Sequence, residues 1–172
     1  MPAGSTYTPI ATTTISGTST SEVQFSSISS TYTDLVIIGN LGATTNSYPC
    51  ARFNSDTGSN YSVTDIYGNG TTAASARGTS RTIADISYDI IGNANVEMNF
   101  IANIMNYSNS TTYKTMISRV NLAANGTTAT VSVWRNTAAI TNIKLYTATA
   151  NGSNLYNFAN GSTFTLYGIA SA

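Results

Sequence analysis

"TATVSVWRN", residues 128–136, alternates without a break. Ala129, Val131 and Val133 fall on one side, and Thr130, Ser132 and Trp134 fall on the other. Successive side chains of a strand point to opposite faces, so a period of two reads as a strand with one buried and one wet face. The apolar set predicts Ala129, Val131 and Val133 inward and Trp134 outward. The same period recurs in "TNIKLYT" (141–147), where Ile143 and Leu145 oppose Lys144 and Tyr146. In "TIADISYDI" (82–90), Ala84, Ile86, Tyr88 and Ile90 oppose Asp85, Ser87 and Asp89. "DLVIIGNL" (34–41) is apolar on both faces from Leu35 to Ile38, as a central strand should be.

Turn chemistry separates these runs. Asn-Gly stands at 69–70, 125–126, 151–152 and 160–161, and both residues tolerate positive φ. No ten-residue stretch carries helical periodicity. About nine strands are expected, from candidates near 8–15, 21–29, 33–41, 50–55, 61–67, 82–91, 95–107, 112–121, 128–135, 140–147 and 162–169, a couple of them irregular. The stretch 68–81, "GNGTTAASARGTSR", reads as a long exposed loop. No linker or shift of composition divides the chain. Many short antiparallel strands with one apolar face pack as two sheets. The expectation is a single all-β domain over 8–172, an antiparallel jelly-roll-like β-sandwich. Residues 1–7 precede it as an extended arm, because Pro2 and Pro9 favour extended backbone. The last strand, "FTLYGI" (164–169), is expected inside a sheet begun by residues 8–40, with Phe164 and Leu166 in the core.

Composition narrows the function. The chain has 172 residues, 8% of them charged, with seven basic and seven acidic side chains, one cysteine and no histidine. An ordinary soluble domain is about 25% charged. A neutral chain with scattered basic residues has no phosphate-binding footprint, so nucleic acid is not an expected partner. The longest aliphatic run, Leu35 to Ile38, is far short of the ~20 residues of a membrane helix. The start, "MPAGSTYTPI", has neither the basic nor the apolar region of a secretory signal. Cys50 is alone, which excludes an internal disulfide framework and points to a reducing compartment for folding. Sequons such as Asn60-Tyr61-Ser62 follow from the abundance of Asn, Ser and Thr and are not read as glycosylation sites.

Catalysis is not expected. Without histidine there is no Ser-His-Asp or Cys-His arrangement. Asp85 and Asp89 share a predicted face with Ser87 between them, but a solvated face paired with Arg77, Arg81 or Arg119 explains them better than an acid/base pair. "NSDTGSN" (54–60) alternates oxygen-bearing residues around a glycine. It lacks the bidentate glutamate of a calcium loop and reads as a hairpin turn. No cofactor and no metal are expected.

Several stretches taken together resemble a known family. "YTPIATTTISGTSTSEVQFSSISSTYTDLVI", "RFNSDTGSNYSVT", "IMNYSNSTTYKTMISR", "VWRNTAAITNIKL" and "FANGSTFTLYGI" are similar to small structural proteins of tailed bacteriophages, frequent in aquatic phages including cyanophages. The resemblance runs from about Tyr7 to Ile169 and lies in the order and spacing of the stretches. It implies a virion role and a jelly-roll-like β fold, and it carries no catalytic residues.

The aromatic content suggests how such a protein works. Eleven tyrosines and one tryptophan are many for this length, and Tyr and Trp are the residues that anchor interfaces. "EMNFIANIM" (97–105) also has apolar residues on both faces, with Ile101 and Met105 opposite Phe100 and Ile104, which reads equally as a fully buried strand or as a second face covered by another subunit. The residues expected at a subunit or capsid interface are Tyr7, Pro9, Ile101, Met105, Trp134, Tyr146 and Tyr167. The expected protein is a capsid decoration (cement) protein on the outer surface of the phage head. It is read as a homotrimer that contacts the major capsid protein. A short leading segment, with no room for an attachment region or shaft, favours this over a tail fibre. The alternative is a receptor-binding knob of a head or tail fibre that contacts host surface glycans.

Overall fold

The structure, a computed structural model, describes residues 6–88, 96–122 and 125–170. Thirteen strands form two sheets among these residues, and every pairing is antiparallel. The large sheet runs β1 (Tyr7–Thr14), β13 (Thr163–Ile169), β3 (Asp34–Leu41), β8 (Met98–Met105), β9 (Lys114–Leu122), β10 (Gly126–Trp134), β5 (Tyr61–Gly68) and β6 (Ala73–Arg81). The small sheet runs β12 (Leu155–Tyr156), β11 (Ile143–Ala148), β4 (Tyr48–Phe53) and β7 (Ala84–Asp85), and β2 (Val23–Phe25) also pairs with β11. The chain passes repeatedly from one sheet to the other, which makes the fold an antiparallel, jelly-roll-like β-sandwich. Strands β8, β9 and β10 are an ordinary meander within it. Among the described residues no helix is long and apolar enough to cross a membrane.

The last strand lies where its sequence predicts. β13 is hydrogen-bonded on one side to β1 and on the other to β3, and Phe164 and Leu166 are fully buried. Burying two such side chains contributes on the order of 3–6 kcal/mol. Phe164 packs on Phe158 and Phe100 in the core between the sheets, with ring centroids 4.7 and 6.4 Å away. The four Asn-Gly sites all serve as turns in which the glycine has positive φ. At Gly126 a Cβ would collide with the carbonyl oxygen of Gly68, so the β9–β10 turn can pass the end of β5 only without a side chain.

Several expectations are corrected. The stretch 68–81 is not a loop throughout, since Ala73–Arg81 pairs with β5 as the edge strand β6. Its alternation of Ala and Gly with Ser, Thr and Arg carries almost no hydrophobic signal, because an edge strand buries little. Among the described residues of the expected strand 82–91, only Ala84–Asp85 forms a strand, and both residues are buried. Residues 89–95 lie outside the described residues, so the Asp85/Asp89 pair and Ile90 cannot be placed together. Asp85 is not on a solvated face: it is buried, and Arg81 donates to it from Nε and Nη2 at 2.9 and 2.6 Å. The arm expected over 1–7 already enters the sheet at Tyr7, opposite Ile169, and residues 1–5 lie outside the described residues.

The largest correction concerns β10 itself. The strand is present, but its faces are reversed. Thr128, Thr130, Ser132 and Trp134 point inward and are buried, while Thr127, Ala129, Val131 and Val133 point outward. Register couples these choices: Trp134 shares its face with the three hydroxyl residues, so burying one buries all. Trp134 stacks on Tyr61 and packs on Phe53, at 6.3 and 5.8 Å between ring centroids. Burying such a ring removes about 150–250 Å² from water, comparable to two valines together. Hydrogen bonding then tips the balance. Thr128 and Thr130 both donate to Oδ1 of Asp65, and Ser132 donates to the Asp85 carbonyl at 2.8 Å. Ser118, opposite Thr130 on β9, donates to the Ile86 carbonyl at 2.7 Å. The inward hydroxyls thus tie β9 and β10 to the crossing segment 85–86 and to β5. Polar groups satisfied in this way cost little to bury.

Candidate functional site

Reversal of β10 leaves an apolar surface on the outer face of the large sheet. Cross-strand pairing lines its residues up in rows. One row runs Thr64, Val131, Ile117, Asn103, Val36, Tyr167 and Pro9. The next runs Ile66, Ala129, Arg119, Ile101, Ile38, Thr165 and Thr12. A third begins Ser62, Val133, Thr115 and Met105. Exposure of Ile66, Ile38, Met105, Ile117 and Val131 lies between 38% and 64%, which is high for large aliphatic residues on adjacent strands. Exposed apolar side chains scattered singly are ordinary, but a contiguous set marks a contact surface.

Polar groups border this band. Asn121, Asn99 and Asn40 form a row beside it, and Asn99 Nδ2 donates to Asn40 Oδ1 at 3.2 Å. Arg119 stands within the band, between two shallow grooves. Ile38, Ile101, Asn99 and Asn121 line one of them, and Ile66, Gly68, Ala73 and Ala129 line the other. Arg77, on β6 opposite Thr64, is the second cation of this face. Asp34 lies at the end of β3, where its Oδ1 accepts from the Asn106 amide at 2.6 Å. At the far edge Tyr7 and Tyr167 meet edge to face at 6.2 Å.

The seven residues expected at an interface therefore divide. Tyr7, Pro9, Ile101, Met105 and Tyr167 all lie on this one outer face. Trp134 and Tyr146 do not serve an interface, because both are buried in the chain's own core. Trp134 Nε1 donates to Asp56 at 2.7 Å, and Tyr146 packs with Cys50, Ile83 and Ala148 under the guanidinium of Arg52. Four exposed residues of the face are not legible in the sequence: Ile38, Ile66, Ile117 and Val131. Alternation reports two faces without saying which one is inside.

The remaining chemistry-bearing side chains are committed to structure. The "NSDTGSN" loop is a clasp: Asp56 accepts from Gly58 N, Asn60 Nδ2 and Trp134 Nε1 at 2.8, 2.9 and 2.7 Å. Desolvation is the largest single influence on Asp56 and raises its pKa, but these three bonds together outweigh it and hold the carboxyl below its usual value. Burial drives Asp85 upward, and the bonds from Arg81 only partly offset this. Lys114 is buried with Nζ donating to the carbonyls of Thr112 and Thr137, and desolvation lowers its pKa. Burial pushes the Cys50 thiol well above its usual value, so it is an inert core group. Glu22 pairs with Lys144 at 3.3 Å. Asp65 uses only Oδ1, and its Oδ2 is buried without a hydrogen-bond partner among the described residues.

No protein-family model matches the chain, and no curated protein sequence matches it.

Proposed function

We propose that this chain is a non-enzymatic structural protein of a tailed-phage virion. It serves as a decoration (cement) protein on the outer surface of the capsid, associates with copies of itself and contacts the major capsid protein. The observation that carries the reading is the outer face of the large sheet, where an apolar band on five adjacent strands, β3, β8, β9, β10 and β5, is exposed among the described residues in a chain with few charges. Such an exterior is suited to contact with other protein rather than to solvation, since a low-charge surface lacks the usual protection against association. The family resemblance of the sequence supplies the virion context. Contacts built from aliphatic groups, amides and hydroxyls also respond little to ionic strength, because screening acts on charges.

A second reading draws on a different part of the same face. Tyr7 and Tyr167 form an aromatic corner, and Asn40, Asn99 and Asn121 form an amide row, which together suit a knob that contacts host surface glycans. Cryo-electron microscopy of the particle tests the first reading: density for the sandwich on the head surface is expected, and its absence there refutes the placement. A glycan array separates the two, since a decoration protein shows no specific binding and a receptor knob does.

A further inference from the structure

We infer that the outer face of the large sheet is a self-docking surface, on which a second copy of this chain packs face to face about a two-fold axis lying along the Val131–Ile117 row. The inference names the partner of the face described above. It rests on the self-association part of the proposed function and stands whether or not the protein belongs to a virion.

Three observations lead to a second copy. The first is area. Eight strands about 4.8 Å apart and some seven residues long present a footprint of about 900 Å². A stable interface buries about 800 Å² on each partner, so one face of this sheet is of the size a dimer needs. The second is charge. The cations of the face are Arg119, inside the band, and Arg77, on the edge strand β6, so the centre at Val131 and Ile117 carries no charge of its own. The third is the register of the rows. An axis along the Val131–Ile117 row turns each neighbouring row onto the opposite one of the partner. The row of Ile101 and Arg119 then lies over the partner's row of Met105 and Thr115. Ile101 faces Met105, and Arg119 faces the hydroxyl of Thr115, while Arg77, at the β6 end of the axis row, meets its own copy at the rim of the contact. Arg119 stands two residues from Ile117, about 7 Å along the strand, so the two guanidiniums are about 14 Å apart. That exceeds the Debye length of about 8 Å at physiological salt.

The same geometry selects the symmetry. A closed trimer requires two different patches on each subunit, whereas one self-complementary face generates a two-fold pair. Among the described residues there is one broad face of this kind. The homotrimer expected from the sequence therefore gives way, in this inference, to a dimer.

The test is the molar mass of the full chain in solution, by sedimentation equilibrium and light scattering at micromolar to hundreds of micromolar concentration. A dimer is expected, with a dissociation constant that does not rise as sodium chloride is raised, because the apolar contact is not screened and the like-charged Arg77 pair at its rim is. The double substitution Ile117→Glu, Val131→Glu should weaken it by more than about thirtyfold, the size of a hot-spot loss. Ile117→Thr, Val131→Thr provides a milder variant that keeps β propensity, and it should also shift the equilibrium toward monomer with a cooperative melt retained. Leu155→Glu, at an exposed position on β12 of the other sheet, should leave the dimer unchanged. A wild type that stays monomeric, a trimeric mass, or a dimer that the Thr variant does not disturb would overturn the inference. A dimer formed by a protein that is missing from the particle would refute the virion reading alone.

Discussion

Strands β13 and β10 read alike in sequence and sit oppositely in the fold. In "TFTLYGI" the apolar alternates Phe164 and Leu166 point into the sandwich, and threonines and Tyr167 point out. In "TTATVSVW" the apolar alternates Ala129 and Val131 point out, and Thr128, Thr130 and Ser132 point in. The difference lies in the partners each strand meets. On β13, Phe164 packs against the rings of Phe158 and Phe100. β10 faces Asp65 and the backbone of 85–86, which supply acceptors for every inward hydroxyl, and it ends in Trp134, whose ring fills a site beside Phe53 and Tyr61. The lesson is that a strand turns its larger total gain inward, hydrogen bonds included, and the remaining side chains become surface whatever their hydropathy.

The comparison can be broken at its strongest point first. Removing residues 162–172 takes β13 out from between β1 and β3 and leaves both without their shared partner, so the truncated chain should lose its cooperative thermal transition. A cooperative melt would show that β13 is peripheral. Next, Trp134→Ala should cost about 3–5 kcal/mol in urea unfolding, the range for a fully buried aromatic. Val131→Ala, measured at concentrations where the protein is monomeric, should cost less than about 1 kcal/mol. If the valine proves the costlier of the two, the faces of β10 are assigned the wrong way round.

Adjacent positions sharpen the contrast further. Thr130→Val replaces a hydroxyl that donates to Asp65 and should cost about 1–3 kcal/mol, because a buried carboxylate loses one of its two donors. Val131→Thr, one residue away on the outer face, should change stability by less than about 0.5 kcal/mol in the monomer. The smallest effect concerns acid. The folded-state pKa of Asp56 is held below its ordinary value of 3.8, so its contribution to stability is present above that value and is lost as pH falls through the folded pKa. Asp85, raised by burial, contributes with the opposite sign between its folded value and 3.8. Asp56→Asn should therefore flatten the loss of stability below about pH 4 without moving the rise due to Asp85. An acid limb unchanged by the substitution would remove Asp56 from the account.

Much of this architecture is legible in the residues. The period of two, the Asn-Gly turns and the interior place of the last strand follow from side-chain alternation and from the tolerance of glycine for positive φ. In β8 the two apolar faces are legible as such, Phe100 and Ile104 on one and Ile101 and Met105 on the other. Two things were not legible. Strand β6 was hidden because an edge strand of Ala, Ser, Gly and Arg has little apolar surface to alternate. The orientation of β10 was hidden because it depends on acceptors, Asp65 and the Asp85 carbonyl, that lie 47 to 65 residues away in the chain. For the same reason the candidate surface was only half visible. Five of its residues were singled out, and its centre, Val131 and Ile117, was not.

Thiol reactivity at two neighbouring positions tests the reversal of β10 most directly. Cysteine is placed singly at Thr130 and at Val131, with the buried Cys50 as a slow internal reference, and labelling is followed in dilute folded protein. The account predicts rapid labelling of Val131→Cys, slowing as concentration rises and copies pair. Thr130→Cys should label no faster than the protein opens. Rapid labelling of Thr130→Cys with protection of Val131→Cys at every concentration would contradict it.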